Sequence, residues 1–199
     1  MGRNTGLWGG PLGALLMGLG TVILSLQVPG YSQVRQTVSE IGEVGSPMQL
    51  PFTVLLWGVA LLILIFAWAL RKQSLRAGLS PLAAYLTACM AVSSAGAGYF
   101  AYPHPLHGVF GLSETIGYCA PLAMALTWKH DPAMRPVVLW SGVLFALVVI
   151  SIAFNTAVLD RDGALWAFER PVYGLVQRSL FAAWFGWCVG IGLLLQRAR

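Results

Sequence analysis

Residues 51–70 read PFTVLLWGVALLILIFAWAL, an unbroken run without a charged side chain. Crossing about 30 Å of hydrocarbon takes roughly 20 apolar residues as a helix, which satisfies every backbone donor and acceptor within the segment. This stretch therefore predicts a membrane span. Working outward, the same reading applies to Leu7 to Val28, Leu79 to Tyr102, Gly108 to Trp128, Pro136 to Leu159 and Pro171 to Leu195. The first run is too long for a signal peptide, and no A-x-A-like cleavage site follows it. Composition agrees: with 57% hydrophobic and 10% charged residues, the chain has more apolar surface than one soluble core of its size buries. The expected fold is all-α, a bundle of six transmembrane helices forming a single transmembrane domain over residues 1–199.

Formal net charge is +5, and its distribution orients the bundle. With six spans the termini share a side, and that side holds Arg3, Arg71, Lys72, Arg76, Lys129, Arg135, Arg197 and Arg199. The opposite side holds Arg35, Arg161, Arg170 and Arg178. The bias across short loops places both termini in the cytoplasm of a multi-pass protein of the cytoplasmic (inner) membrane. These cations read as topology signals and lipid contacts, and nucleic acid is not an expected partner. Cys89, Cys119 and Cys188 all fall inside spans, which argues for small packing residues and against a disulfide framework.

Polar chemistry collects on the outer side. Of seven carboxylates only Asp131 is cytoplasmic; Glu40, Glu43, Glu114, Asp160, Asp162 and Glu169 lie at or near the outer face. The first outer connection, Pro29 to Leu50, is long and contains VRQTVSEIG, residues 34–42. Val34, Val38 and Ile41 recur at i, i+4 and i+7 there, so a short amphipathic helix lying in the interface is expected, stopped near Gly42 and Gly45. Its polar face turns either to water or to the space between helices.

On the fourth span His107, Gly111, Glu114 and Tyr118 form one stripe, which should face the bundle interior. Glu114 is costly in lipid unless paired, which makes it a functional candidate, and Arg178 on the last span is its expected partner, in a site or in a structural salt bridge. His104 and His107, with Pro103 and Pro105 around the first of them, could with a nearby carboxylate hold a zinc ion; two interfacial histidines bonded to Tyr102 or to loop carbonyls are the other reading. Trp184 and Trp187 read as packing residues. Gly9 with Gly13 and Gly186 with Gly190 offer small faces for close packing of the first and last helices, as Ser94 and Gly98 do on the third.

YSQVRQTVSEIG after a first span, the HG pair opening the fourth and GLVQR opening the last together resemble the prokaryotic six-helix membrane family catalogued as domain of unknown function 998. The resemblance covers nearly the whole chain. It implies a six-helix bundle and draws attention to Ser39, Glu40, His107, Gln177 and Arg178, with no activity to carry over. A more distant likeness, to the ceramidase and progestin-receptor-like superfamily of metal-dependent membrane hydrolases, names only a reaction class. The chain departs from that pattern in helix count and in lacking a His pair on its last helix.

The expected function is an outer-face polar pocket that binds an amphiphilic, lipid-like molecule, with metal-assisted hydrolysis as the chemistry if the protein is an enzyme. Glu114, Arg178 and Ser39 form the catalytic set, Glu114 as general base and Arg178 stabilising anionic charge. Glu40, Tyr118 and Gln177 contact the ligand, Glu40 doubling as a possible metal ligand beside His104, His107 and Asp160. The rival is a non-catalytic accessory or structural subunit of a larger membrane complex, contacting membrane-protein partners or a second copy through the same loops.

Overall fold

A computed structural model describes residues 5–197. Arg3 and Arg199, two of the cations used to orient the bundle, lie outside the described residues. A 3₁₀ turn, Thr5–Trp8, leads into α1 (Gly9–Ser25), followed by α2 (Gln49–Arg76), α3 (Leu82–Tyr99), α4 (Pro105–Tyr118), α5 (Ala120–Trp128), α6 (Arg135–Asn155), α7 (Ala164–Glu169) and α8 (Tyr173–Arg197). There is no strand among the described residues. Five helical segments are long and apolar enough to cross a membrane: Thr5–Ser25, Gln49–Arg76, Pro105–Trp128, Pro132–Leu159 and Ala164–Arg197. The sixth expected span, α3, is not among them, since Thr87, Ser93, Ser94, Gly96 and Gly98 dilute its apolar character. It packs between α2 and α4. Large apolar side chains such as Leu15, Leu19 and Ile23 on α1 and Leu61, Ile65 and Trp68 on α2 are exposed around the bundle, as a lipid-facing surface requires.

The fourth expected span is two helices in line, and the break has an identifiable cause. Pro121 has no N–H to give the Gly117 carbonyl four residues back. The indole Nε1–H of Trp184 on α8 donates to that carbonyl instead, at 3.0 Å. Trp184 and Trp187 are both buried, and Trp187 donates to Ser141 Oγ on α6 at 3.0 Å, so both are packing residues as expected. Between helices in lipid, such bonds and close packing replace the hydrophobic driving force.

The small-residue faces differ from expectation. Gly9 and Gly13 meet Leu62, Ile63 and Phe66 of α2, and Gly186 and Gly190 meet Leu144 and Trp140 of α6. Approach of α1 to α8 depends on Gly10, where a Cβ would come within 2.8 Å of the Cys188 carbonyl. Gly192 is its counterpart, 2.8 Å from the Leu7 carbonyl by the same measure. Gly98 does pack closely on the third helix, against Leu56 of α2. Cys188 is buried, whereas Cys89 and Cys119 are exposed, and all three are free thiols.

The interfacial amphipathic helix is also corrected. Only Val38–Gly42 is helical, as a short 3₁₀ turn. Its carbonyl neighbours are engaged elsewhere: Val34 O accepts from Leu175 N, and Gln33 O and Gln36 O accept from Arg178. An α-helix would need those acceptors for its own ladder. Val38 and Ile41 plug into the core, while Val34, the third member of the expected apolar stripe, is exposed.

Candidate functional site

The three connections at residues 26–48, 100–104 and 156–172 lie at one end of the bundle, where Val44 N donates to Tyr102 O at 2.8 Å. Beneath them is a cavity of about 1220 Å³. Its wall at the loop-rich end carries Ser39, Glu40, His107 and Gln177, with Glu114 and Tyr118 farther along α4. Below, it is lined along α2 from Phe52 to Ile63 and along α8 from Tyr173 to Phe185. At about 1.5 Å per helical residue these stretches are roughly 16–18 Å long.

All four residues of the expected stripe, His107, Gly111, Glu114 and Tyr118, line this cavity. Glu114 accepts from Ser94 Oγ at 3.0 Å on one oxygen and from Tyr118 OH at 3.4 Å on the other. Ser94 is a site residue that sequence reasoning treated only as a small packing position. The α3–α4 hairpin register was the missing signal: Ser93 meets Ser113, Ser94 meets Glu114 and Ala97 meets His107. Antiparallel helices joined across residues 100–104 place these rungs automatically.

His107 lies in the first turn of α4, after Pro105 at the helix start. Its Nδ1 is 2.9 Å from both Ala97 O and Phe100 O, at the C-terminal end of α3. Carbonyl oxygens only accept, so Nδ1 carries a proton. In the neutral ring Nε2 then holds a lone pair, and the Ser39 hydroxyl, 2.9 Å away, donates to it. These carbonyls belong to the last turn of α3 and its cap, where the second reading of this histidine expected Tyr102 or loop carbonyls.

The expected zinc donors do not assemble. His104 is an exposed N-cap whose Nδ1 accepts from Leu106 N at 3.1 Å, Asp160 is exposed, and both nitrogens of His107 are engaged. Among the described residues no group of three or more His, Cys, Asp or Glu side chains could hold a metal ion. The residues present do not fit a zinc site.

Arg178 does not pair with Glu114 either. One guanidinium nitrogen, Nη1, donates to Gln33 O at 2.8 Å and to Gln36 O and Gly174 O at 2.9 Å; Nη2 donates to Tyr31 OH at 2.6 Å. Tyr31 in turn donates to Thr37 O at 2.8 Å. Burial pushes the Tyr31 phenol above its ordinary pKa, with the Arg178 hydrogen bond pulling the other way. Arg178 is therefore a latch for the first connection. Its neighbour Gln177 lines the cavity, and its Oε1 accepts from Val38 N at 2.7 Å.

Glu40 is held differently: its Oε2 is buried with no hydrogen-bond partner among the described residues. Arg35, Arg161 and Arg170 also line the cavity, all exposed, and Arg161 stands over the Trp166 ring at 5.9 Å. The sequence marks these three arginines as topology signals and lipid contacts, not as cavity-lining residues.

No curated protein and no solved structure matches the chain. The family model described as "Protein of unknown function (DUF998)" matches residues 11–194, nearly the whole of this all-helical, membrane-type chain, which therefore belongs to that family.

Proposed function

We propose that this protein is a single six-span transmembrane domain of the cytoplasmic membrane, α3 being the sixth span, with both termini in the cytoplasm. Its outward-facing cavity holds one amphiphile. An anionic, hydroxyl-bearing head lies at the loop-rich wall: Arg35, Arg161 and Arg170 attract its negative charge, and Glu40 accepts a hydroxyl donor, with Glu114 as a second acceptor deeper along α4. The tail runs along α2 and α8. One observation carries the reading: a single cavity is polar at its loop end and lined below by Leu56, Val59, Ile63, Leu180 and Phe181. Its length matches about 15 Å of hydrocarbon, one leaflet of the bilayer.

Gly111 gives the test. It lines the cavity, and a Cβ built there meets nothing within 4 Å. Gly111→Phe therefore adds a ring without a first-atom clash, and replacing a mid-helix glycine removes a helix penalty of up to about 1 kcal/mol. Native mass spectrometry of the wild type should show about one amphiphile per chain. The variant should lose roughly nine-tenths of it with an unchanged or higher Tm. A wild type that copurifies with no amphiphile, or a Gly111→Phe protein that keeps full occupancy, refutes the proposal.

A further inference from the structure

We propose that Ser39 and His107 are a nucleophile–base pair that cleaves an ester in the amphiphile, a step that rests on the cavity reading above. The Ser39 Oγ to His107 Nε2 distance of 2.9 Å is within the range for proton transfer to a general base. In serine hydrolases a third group fixes the tautomer of the base and stabilises the imidazolium. Here the Ala97 and Phe100 carbonyls do both, each 2.9 Å from Nδ1. They terminate α3, so the negative end of that helix dipole faces the cation formed during reaction.

Ser39 is held as a nucleophile must be. The residue before it donates its N–H to Gln177, the Glu40 N–H donates to Thr37 O at 3.2 Å, and Ile41 anchors the turn in the core. Because Gln177 uses its Oε1 on Val38, its NH₂ donors remain for an oxyanion formed in the cavity it lines. The long acyl chain of the ester fits the apolar walls beneath.

In the first step the Ser39 Oγ–carbonyl carbon bond forms, and the hydroxyl proton passes to His107 Nε2. The carbon–oxygen bond to the leaving group then breaks, and His107 returns that proton to the departing alkoxide. Water completes the cycle: it gives a proton to Nε2 and its oxygen to the acyl carbon, and Ser39 recovers its proton as the carboxylic acid leaves. No oxidant, reductant or metal is required.

The test uses the full chain in lipid nanodiscs and two organophosphorus fluorides, diisopropyl fluorophosphate and a decyl fluorophosphonate, which respectively phosphorylate and phosphonylate an activated serine with loss of fluoride. Peptide mass spectrometry should place a single adduct on Ser39 with both probes, formed roughly tenfold faster by the decyl probe. Ser39→Ala should take no adduct. His107→Gln should slow labelling by about 100-fold or more at near-wild-type Tm, which loss of a merely structural hydrogen bond would not do. Overnight failure of both probes on the wild type overturns the proposal, as does an adduct that survives in Ser39→Ala or wild-type labelling in His107→Gln. The wild-type peptide map decides alone if a variant does not fold. An amphiphile that copurifies with protein neither probe labels rejects the pair and leaves the cavity reading standing; equal rates for both probes support the pair and reject the tail site.

Discussion

Two polar clusters, one on the first connection and one bordering the cavity, have their hydrogen bonds satisfied in opposite ways. Around Arg178 the fork is spent on three backbone carbonyls and the Tyr31 hydroxyl, so the first connection is locked to α8. Around Glu114 and Glu40 the satisfaction is incomplete: Glu114 has a serine and a tyrosine, Glu40 leaves one oxygen unbonded, and both border a cavity. A cation whose donors are consumed by the backbone stabilises a fold. Carboxylates with spare acceptor capacity bordering a cavity are the groups that the proposed amphiphile site would use.

The sharpest break of this contrast is Arg178→Ala. It removes four hydrogen bonds from a charged group at once, and the expected loss is about 3–5 kcal/mol by thermal unfolding in detergent. Arg178→Lys should recover only part of that, since an ammonium lacks the planar fork that spans these acceptors. Tyr31→Phe should cost less, about 1–3 kcal/mol, because it removes the acceptor for Nη2 and the donor to Thr37 O.

Tyr31 also gives a pH dependence. Its folded pKa is raised, so its contribution is complete below the unfolded value of about 10 and is lost as pH rises through the folded one. Wild-type stability should fall above about pH 10, and Tyr31→Phe should flatten that fall. The smallest effect is the most discriminating between the clusters. In a double-mutant cycle, Glu114→Gln and Arg178→Gln should add to within about 0.5 kcal/mol. Recovery of stability in the double mutant would restore the ion pair that the geometry rejects.

The helical, membrane-type architecture was legible in the sequence because apolar run length reports it directly. The cavity-facing stripe of α4 was legible because it lies on one helix, where spacing alone decides the face. Partner identity was not. Arg178 and Glu114 looked complementary in charge, but the first connection folds back and offers carbonyls to the guanidinium, and no periodicity records where backbone acceptors go. For His104 and His107, sequence spacing leaves a zinc site and a pair of interfacial histidines both open. Pro105 instead makes His104 a helix cap and turns His107 toward the end of α3.

The most direct test of the account is photocrosslinking in native membranes, with a benzophenone-bearing phenylalanine in place of Phe181 or, for comparison, of Val109. Phe181 lines the cavity and already carries a ring, whereas Val109 is 60% exposed and lies outside the cavity lining. Mass spectrometry of the adducts should show bulk lipid at Val109 and a narrow set of anionic amphiphiles at Phe181. An absence of amphiphile adducts at Phe181, or a composition there identical to that at Val109, would contradict the account.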